Sequence, residues 1–524
     1  MDCQTIRSFY RNTGAAAEGH PAGFIDVLNI ETRFESELAR VLPGRVVFVT
    51  GSAGDGKTHL VTRVESHARE HGVEIVKDAN TVPACELARI IDEAVEQGSG
   101  LLVAINYGIL REIADRSEVR DRDWAVHVRN RLYHPLDYGA ARPENRSVLV
   151  VPLSHRNALD PEIVEQAIDK IAGDFTGCEA CGSAGVAAWN ARMLQRPEVK
   201  RTLLDLIEVI RWRGRHATMR ELLGLISFLI MGGTRECGAQ GRQAIPRYFE
   251  NLFSGGIGGL FSDLRECDPV LRAHPLIDLH LWSRFRPDEW LDGEDERRCR
   301  QSDGRKPQQR QQRLREFDRI KRRALFEHAR SGDLRPDMPS ESKRMLDRLR
   351  GGADHAEALR EVVEQLNAYF DPSIEQGRCG RRGRRLYLYS AFEYGDGQAG
   401  ALVMMENVET KRLEVIVPRL PRELHVFFPD YVPDHVLLKH RDIDIRASVR
   451  IDAAVVELLT GGQRYRESGH MRVRHLNERL FRFYQRLIGL CDHDDEEREI
   501  RVVPLRDNMA PVEIAVDLQK GVYI

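Results

Sequence analysis

Gly51-Ser52-Ala53-Gly54-Asp55-Gly56-Lys57-Thr58 have the types and spacing to hold a chain of phosphates, matching G-x-x-x-x-G-K-[ST] without a gap. Glycines let the backbone curl so that successive N–H groups point inward at phosphate oxygens. A helix that starts there adds the positive end of its dipole. In this chemistry Lys57 reaches the β- and γ-phosphates, the Thr58 hydroxyl ligates Mg²⁺, and His59 closes the run of expected nucleotide contacts. Asp55 is out of character, because an acid beside bound phosphates repels them; its side chain is expected to point out of the cradle. The plain alternative is a glycine-rich turn that binds nothing. The apolar run before the loop and the helical pattern after it favour the phosphate reading, with ATP and Mg²⁺ as ligands.

Hydrolysis of a nucleoside triphosphate further needs a positioned water, a metal-binding acid and positive charge at the γ-phosphate. Two strand ends offer candidates. VEIVK runs into Asp78, twenty-one residues after Lys57, which reads either as a Mg²⁺ contact or as the N-cap of the next helix. LLVAI runs into Asn106, which cannot act as a base but can orient a water, or can form a turn. Arg156, after the fourth apolar run, faces either the nucleotide or solvent. Thr218-Met219-Arg220 opens a helix; Thr218 is a good N-cap, and Arg220 is a candidate cation for the γ-phosphate or a solvated residue beside Glu221.

These residues need a scaffold. Arg45–Thr50, Val73–Lys77, Leu101–Ile105 and Ser147–Leu153 read as strands, with a helix at Glu31–Leu42 before the first and helices at His59–His71 and Val82–Gln97 between them. Strands alternating with helices predict a parallel sheet with ligands at the carboxyl ends of its strands. From Pro161 the pattern is helical, with Val199–Trp212 and Met219–Met231 the clearest segments and Gly232-Gly233 a stop. From Arg384 short β-like runs appear (LYLYSAF, LVMMENV, RLEVIVP, LHVFFP, VLLKH, IDIRASVRI), then a helical tail at Val473–Leu490 and an acidic run from Asp492 to Glu499. The expected divisions are an N-terminal segment (1–44), a P-loop α/β core (45–160), a helical lid (161–292), a basic helical linker (293–370) and a smaller β-rich α+β domain (371–524).

The chain has 524 residues, 30% of them charged and 42% hydrophobic, which is the composition of an ordinary globular protein of several domains. No apolar run approaches a membrane span, and the first residues lack the apolar core of a signal peptide. Nine cysteines, an odd number and scattered, point to a reducing cytoplasm rather than a disulfide framework. Cys178 and Cys181 have the spacing of half a zinc site, but the other half is not visible nearby, and a reduced pair is the plainer reading.

The net charge of −3 hides a local asymmetry. Arg297, Arg298, Arg300, Arg305, Lys306, Arg310, Arg313, Arg315, Arg319, Lys321, Arg322 and Arg323 fall in one stretch; Arg378, Arg381, Arg382, Arg384 and Arg385 form another beside Tyr387 and Tyr389; Arg472, Arg474, Arg479, Arg482 and Arg486 lie on the late helix. Each segment alone reads as solvated surface. Together they suggest a polyanion such as DNA, or an acidic protein partner. Tyr387 and Tyr389 either stack bases or pack.

The series GSAGDGKTHL, LLVAINYGILREI, VVPLSHR, CEAC…WNARML, TMRELLGLISFLIMGG and KRRALFEHA resembles the AAA+-like P-loop ATPases of prokaryotic defence, and among them the ATPase component of phosphorothioation-dependent DNA restriction, the DptF (DndF) type. The resemblance implies an ATPase that works with partner subunits on DNA lacking a protective modification. It carries over Lys57 and Thr58 as nucleotide and Mg²⁺ contacts, Asn106 as a sensor-like asparagine and Arg220 as a lid arginine. The chain departs from the pattern in lacking a clear Walker B acid pair, and it shows no nuclease signature, so cleavage would fall to a partner. A nucleotide-operated switch that assembles with proteins and never touches DNA is the competing expectation.

Overall fold

The computed structural model describes residues 3–11, 30, 32–139, 144–175, 185–233, 245–283, 307–328, 334, 340–351, 355–371, 383–394, 398–429, 431–461, 471–490, 497–504, 512–517 and 522–523. Cys178, Cys181 and Arg297–Lys306 lie outside them. The chain divides into two compact units. Unit 1 comprises residues 1–135, 142–337 and 421–431; unit 2 comprises 136–141, 338–420 and 432–524.

Unit 1 is built on a four-stranded, all-parallel sheet. Its strands are β1 (Val46–Gly51), β2 (Glu74–Val76), β3 (Leu101–Asn106) and β4 (Val148–Pro152), in the order β2-β3-β1-β4. The apolar runs VVFVT, LLVAI and VLVV are what a parallel sheet covered on both faces requires, and β1 is buried along its whole length. Among the described residues, the helices α1 (Cys3–Arg11) and α2 (Arg33–Val41) precede the sheet; α3 (Lys57–Glu70), α4 (Ala84–Gln97), α5 (Tyr107–Ala114) and α6 (Asp123–Tyr133) are interleaved with it. Leu87, Ile91, Trp124 and Val128 pack with Phe48, Val103 and Ile105 to form one core layer.

The register sets the site. Gly51 pairs with Asn106 and Thr50 with Pro152, so the carboxyl ends of β1, β3 and β4 lie side by side. Because β1 connects outward to β2 while β3 connects across to β4, the sheet has a topological switch point at β1 and β3, where α/β sheets bind ligands.

The remaining helices of unit 1 are α7 (Pro161–Gly173), α8 (Val186–Leu194), α9 (Pro197–Trp212), α10 (Met219–Met231), α11 (Tyr248–Ser254), α12 (Gly259–Arg265), α13 (Pro275–Ser283) and α14 (Pro307–Glu327). α10 is apolar on all sides because helices surround it: α1, α7, α8 and α11 all pack against it. Ser227 Oγ donates to the Ile6 carbonyl, and a Cβ on Gly224 would lie 3.5 Å from the Phe9 carbonyl, so α1 rides close along it.

Part of the basic run, on α14, is paired within the fold. Lys321 is 1% exposed and pairs with Asp278 at 2.6 Å, Arg322 with Asp268 at 2.6 Å, Arg323 with Glu327 at 2.9 Å and Arg319 with Glu250 at 3.5 Å, while Arg315 is exposed. Ile320, Ala324, Leu325 and Phe326 are buried between them.

Unit 2 contains α15 (Ser340–Gly351), α16 (His355–Phe370), β5 (Arg385–Tyr394), β6 (Gln398–Glu409), β7 (Leu413–Ile416), β8 (His435–His440), β9 (Val449–Asp452), α17 (Ala453–Thr460), α18 (Met471–Ile488), β10 (Glu497–Pro504), β11 (Val512–Asp517) and β12 (Val522–Tyr523). They form a five-stranded sheet, β12-β11-β10-β6-β5, and a three-stranded sheet, β7-β8-β9, both antiparallel. Two expectations are corrected here. LHVFFP holds no strand: Leu424 ends a 3-10 turn (Arg422–Leu424) begun after Pro421, and the chain goes on in turns, with the Phe427 and Phe428 N–H groups both donating to the Leu424 carbonyl. IDIRASVRI is a strand only at its end, after a 3-10 turn at Ile445–Ala447 that Asp444 caps. Of the two readings open for Tyr389, the structure has the packed one: it is fully buried with its ring 5.8 Å from that of Phe370.

Candidate functional site

The loop Ser52–Gly56 joins β1 to α3. Gly54 (φ +97°) and Gly56 (φ +89°) hold backbone conformations that side chains rarely adopt, which is why the loop needs glycine at both places. Ser52 N–H donates to Asp55 Oδ2 at 2.6 Å. Asp55 is 4% exposed, and a Cβ on Gly51 would lie 2.5 Å from the same carboxylate oxygen, so the acid is folded against its own loop. Lys57, at the first turn of α3, donates through Nζ to the carbonyls of Gly51 (3.0 Å) and Ser52 (2.8 Å). Burial lowers its pKa, with Arg220 acting in the same direction against Asp55 and Asp78. Thr58 and His59 follow on the same helix, and Thr62 Oγ1 donates to the Thr58 carbonyl.

Four more elements close around this loop. α10 arrives from the helical part of the unit. Arg220 N–H donates to the Gly54 carbonyl at 3.2 Å, and a Cβ on Gly54 would lie 2.8 Å from Arg220 Cβ. The start of α10 is fixed by a capping box: Glu221 N–H donates to Thr218 Oγ1, and Thr218 N–H to Glu221 Oε2 at 2.9 Å. Arg215 holds Glu221 from the other side at 2.5 Å. Glu221 is therefore a structural carboxylate.

Asp78 follows the short edge strand β2 and caps the 3-10 turn Ala79–Thr81. Its Oδ1 accepts from the Asn80 amide N–H (3.0 Å) and from Asn80 Nδ2 (2.6 Å). Asn106 Nδ2 donates to Asn80 Oδ1 at 3.2 Å. A chain Asn106–Asn80–Asp78 thus crosses the ends of β3 and β2. Asn80 was not singled out from the sequence; the Asp-x-Asn spacing, typical of a side-chain-capped turn, was its only signal. Tyr107 is the second addition: its hydroxyl bonds Ser154 Oγ at 2.9 Å, tying the end of β3 to the end of β4. Burial raises its pKa.

Arg156, beyond β4, donates through Nη2 to the Asp55 carbonyl at 2.9 Å. Burial lowers its pKa. Its guanidinium lies 5.4 Å from the Phe34 ring centroid. Phe34 sits against Phe427 (5.6 Å) and Phe428 (4.9 Å).

The residues chosen from sequence on strand ends and on α10 therefore meet at one loop, and the cysteine pair lies outside the described residues. Lys57 on the loop and Arg220 on the incoming helix are cations that suit a polyphosphate, but the Asp55 carboxylate, expected to point out of the cradle, is instead folded onto the Ser52 amide. Among the described residues no group of three His, Cys, Asp or Glu is placed to hold a metal ion, and no helix is long and apolar enough to cross a membrane. No family model matches the chain, and no curated protein is significantly similar to it.

Proposed function

We propose that the chain is a Mg²⁺-dependent ATPase of the P-loop class. The observation that carries this is the meeting of the G-x-x-x-x-G-K-T loop with the amino end of α10, through Arg220 N–H and Gly54 O. The loop amides and Lys57 hold the β- and γ-phosphates, Thr58 offers its hydroxyl to the metal and Asp78 an acid at its edge. The metal, when bound, neutralises charge on the phosphates. Asn106, opposite Gly51 in register, orients the attacking water through an amide held by Asn80. Arg220 brings positive charge to the γ-phosphate from the lid side.

In this reading the ATPase is a subunit of a DNA-directed defence complex, coupling nucleotide state to DNA or to partner subunits. The motif resemblance to the DptF (DndF) type supports it. The pairing of Arg319, Lys321, Arg322 and Arg323 within unit 1 favours the second reading, a switch that engages protein partners and leaves DNA alone. Measuring ATP hydrolysis with and without double-stranded DNA, at low and moderate salt, separates them. Stimulation by DNA that fades with salt supports the first. Turnover indifferent to DNA supports the second, and no ATP binding at all refutes both.

A further inference from the structure

We infer that Arg156 is a positioning residue for the phosphate loop, held in place by a strap of the C-terminal sequence, Pro421–Tyr431. The inference deepens the ATP-site reading and rests on it for its second readout.

Within the loop, the Asp55 carbonyl accepts the Arg156 guanidinium at 2.9 Å. Fixing a carbonyl fixes the N–H on the other side of the same peptide plane. Here that N–H is Gly56's, an amide of the motif that should face phosphate. A Cβ on Gly56 would lie 3.5 Å from Arg156 Nη2, so the guanidinium lies directly against this turn of backbone. A charge-assisted bond to a backbone carbonyl, partly buried, is stronger than an ordinary one.

Arg156 is itself confined. Its guanidinium covers the Phe34 ring, and Phe34 is 3% exposed between Phe427 and Phe428. His155, its neighbour, meets Phe428 and Tyr431 edge-on at 5.8 and 5.7 Å. The strap is anchored at its other end by Glu423, 3.1 Å from Arg131 and 3.9 Å from Arg45. Residues 421–431 thus belong to unit 1, although the chain before and after them belongs to unit 2. A segment far along the sequence therefore completes the support of a loop near its start.

The test compares the full-length wild type with Arg156→Met, Arg156→Lys and Phe428→Leu. Methionine keeps a side chain over Phe34 but cannot donate; lysine keeps a donor. Two quantities are read: hydrogen exchange of the Gly54–Lys57 amides without nucleotide, and affinity for a fluorescent ATP analogue. Arg156→Met should speed exchange and weaken binding by about tenfold or more, the factor a charge-assisted hydrogen bond represents. Arg156→Lys should recover most of both, and Phe428→Leu should fall between. Arg156→Met exchanging and binding as the wild type does overturns the inference. If that variant does not fold, unchanged exchange in Phe428→Leu overturns it instead. Faster exchange in Arg156→Met, in a protein whose wild type binds no ATP, supports the positioning role while rejecting the ATP site.

Discussion

The backbone N–H of Arg220 donates to the Gly54 carbonyl at 3.2 Å, so the first turn of a helix more than 160 residues along the chain closes onto the glycine loop. The contact is between backbones, and any side chain on Gly54 would collide with Arg220 Cβ at 2.8 Å. Gly54→Ala should therefore fail twice, through a strained φ of +97° and through displacement of α10. The expected result is ATP affinity reduced by about tenfold or more, with the sheet unfolding as before. Calorimetric titration beside a thermal melt decides it, and wild-type affinity would reject the packing argument.

Lys57→Ala should abolish ATP binding while leaving stability nearly unchanged. Among the described residues the ammonium donates to the Gly51 and Ser52 carbonyls of its own loop, and burial works against its charge. Removing it relieves that burial. Retained ATPase activity in this variant would sink the proposed function outright.

The strands were legible in the sequence because β1, β3 and β4 are continuous apolar runs, the mark of buried parallel strands. Neighbourhood was not legible. That Asn106 lies beside Gly51 follows from the order β2-β3-β1-β4, and no local pattern encodes order. The arginines of α14 read as a free basic face because Glu250, Asp268 and Asp278 are far away in sequence and meet them only through folding. Phe427 and Phe428 read as strand residues because apolar character says that they are buried, not by what backbone.

Thr218→Ala should cost about 1 kcal/mol of stability, the usual loss when a capping side chain is removed. It should also lower the ATPase rate, because the capping box orients the turn carrying Arg220. Arg220→Ala should lower the rate without the stability loss. Chemical denaturation and turnover measured on both variants separate the cap from the cation.

Tyr389→Phe should be neutral or slightly stabilising. The Tyr389 hydroxyl is buried with no hydrogen-bond partner among the described residues, and leaving a polar group unpaired in the core is costly. Burial drives its pKa strongly upward. Should DNA bind this protein, the substitution should leave its affinity unaltered, since the ring is covered. A loss of DNA affinity in Tyr389→Phe would contradict the packing seen here.

Stability should fall as the medium is acidified from about pH 6.5 toward 4. His127 is held at a pKa of about 4, first by burial and then by Arg131 and Arg45. Its unfolded value is near 6.5, so between these limits the unfolded chain binds the proton more readily than the folded one. Stability therefore rises with pH across this window and is fully present above it, with a swing on the order of 2–3 kcal/mol. Glu423, beside it, acts in the opposite sense, because burial raises its carboxyl pKa and protonation relieves an unfavourable charge. The two effects oppose each other, and the net slope is the difference between them. Denaturant midpoints for wild type and His127→Gln, measured at intervals from pH 7.5 to 4.5, test the assignment. The variant should lose most of the slope between pH 6.5 and 5, and an identical slope in both proteins would place the acid sensitivity elsewhere.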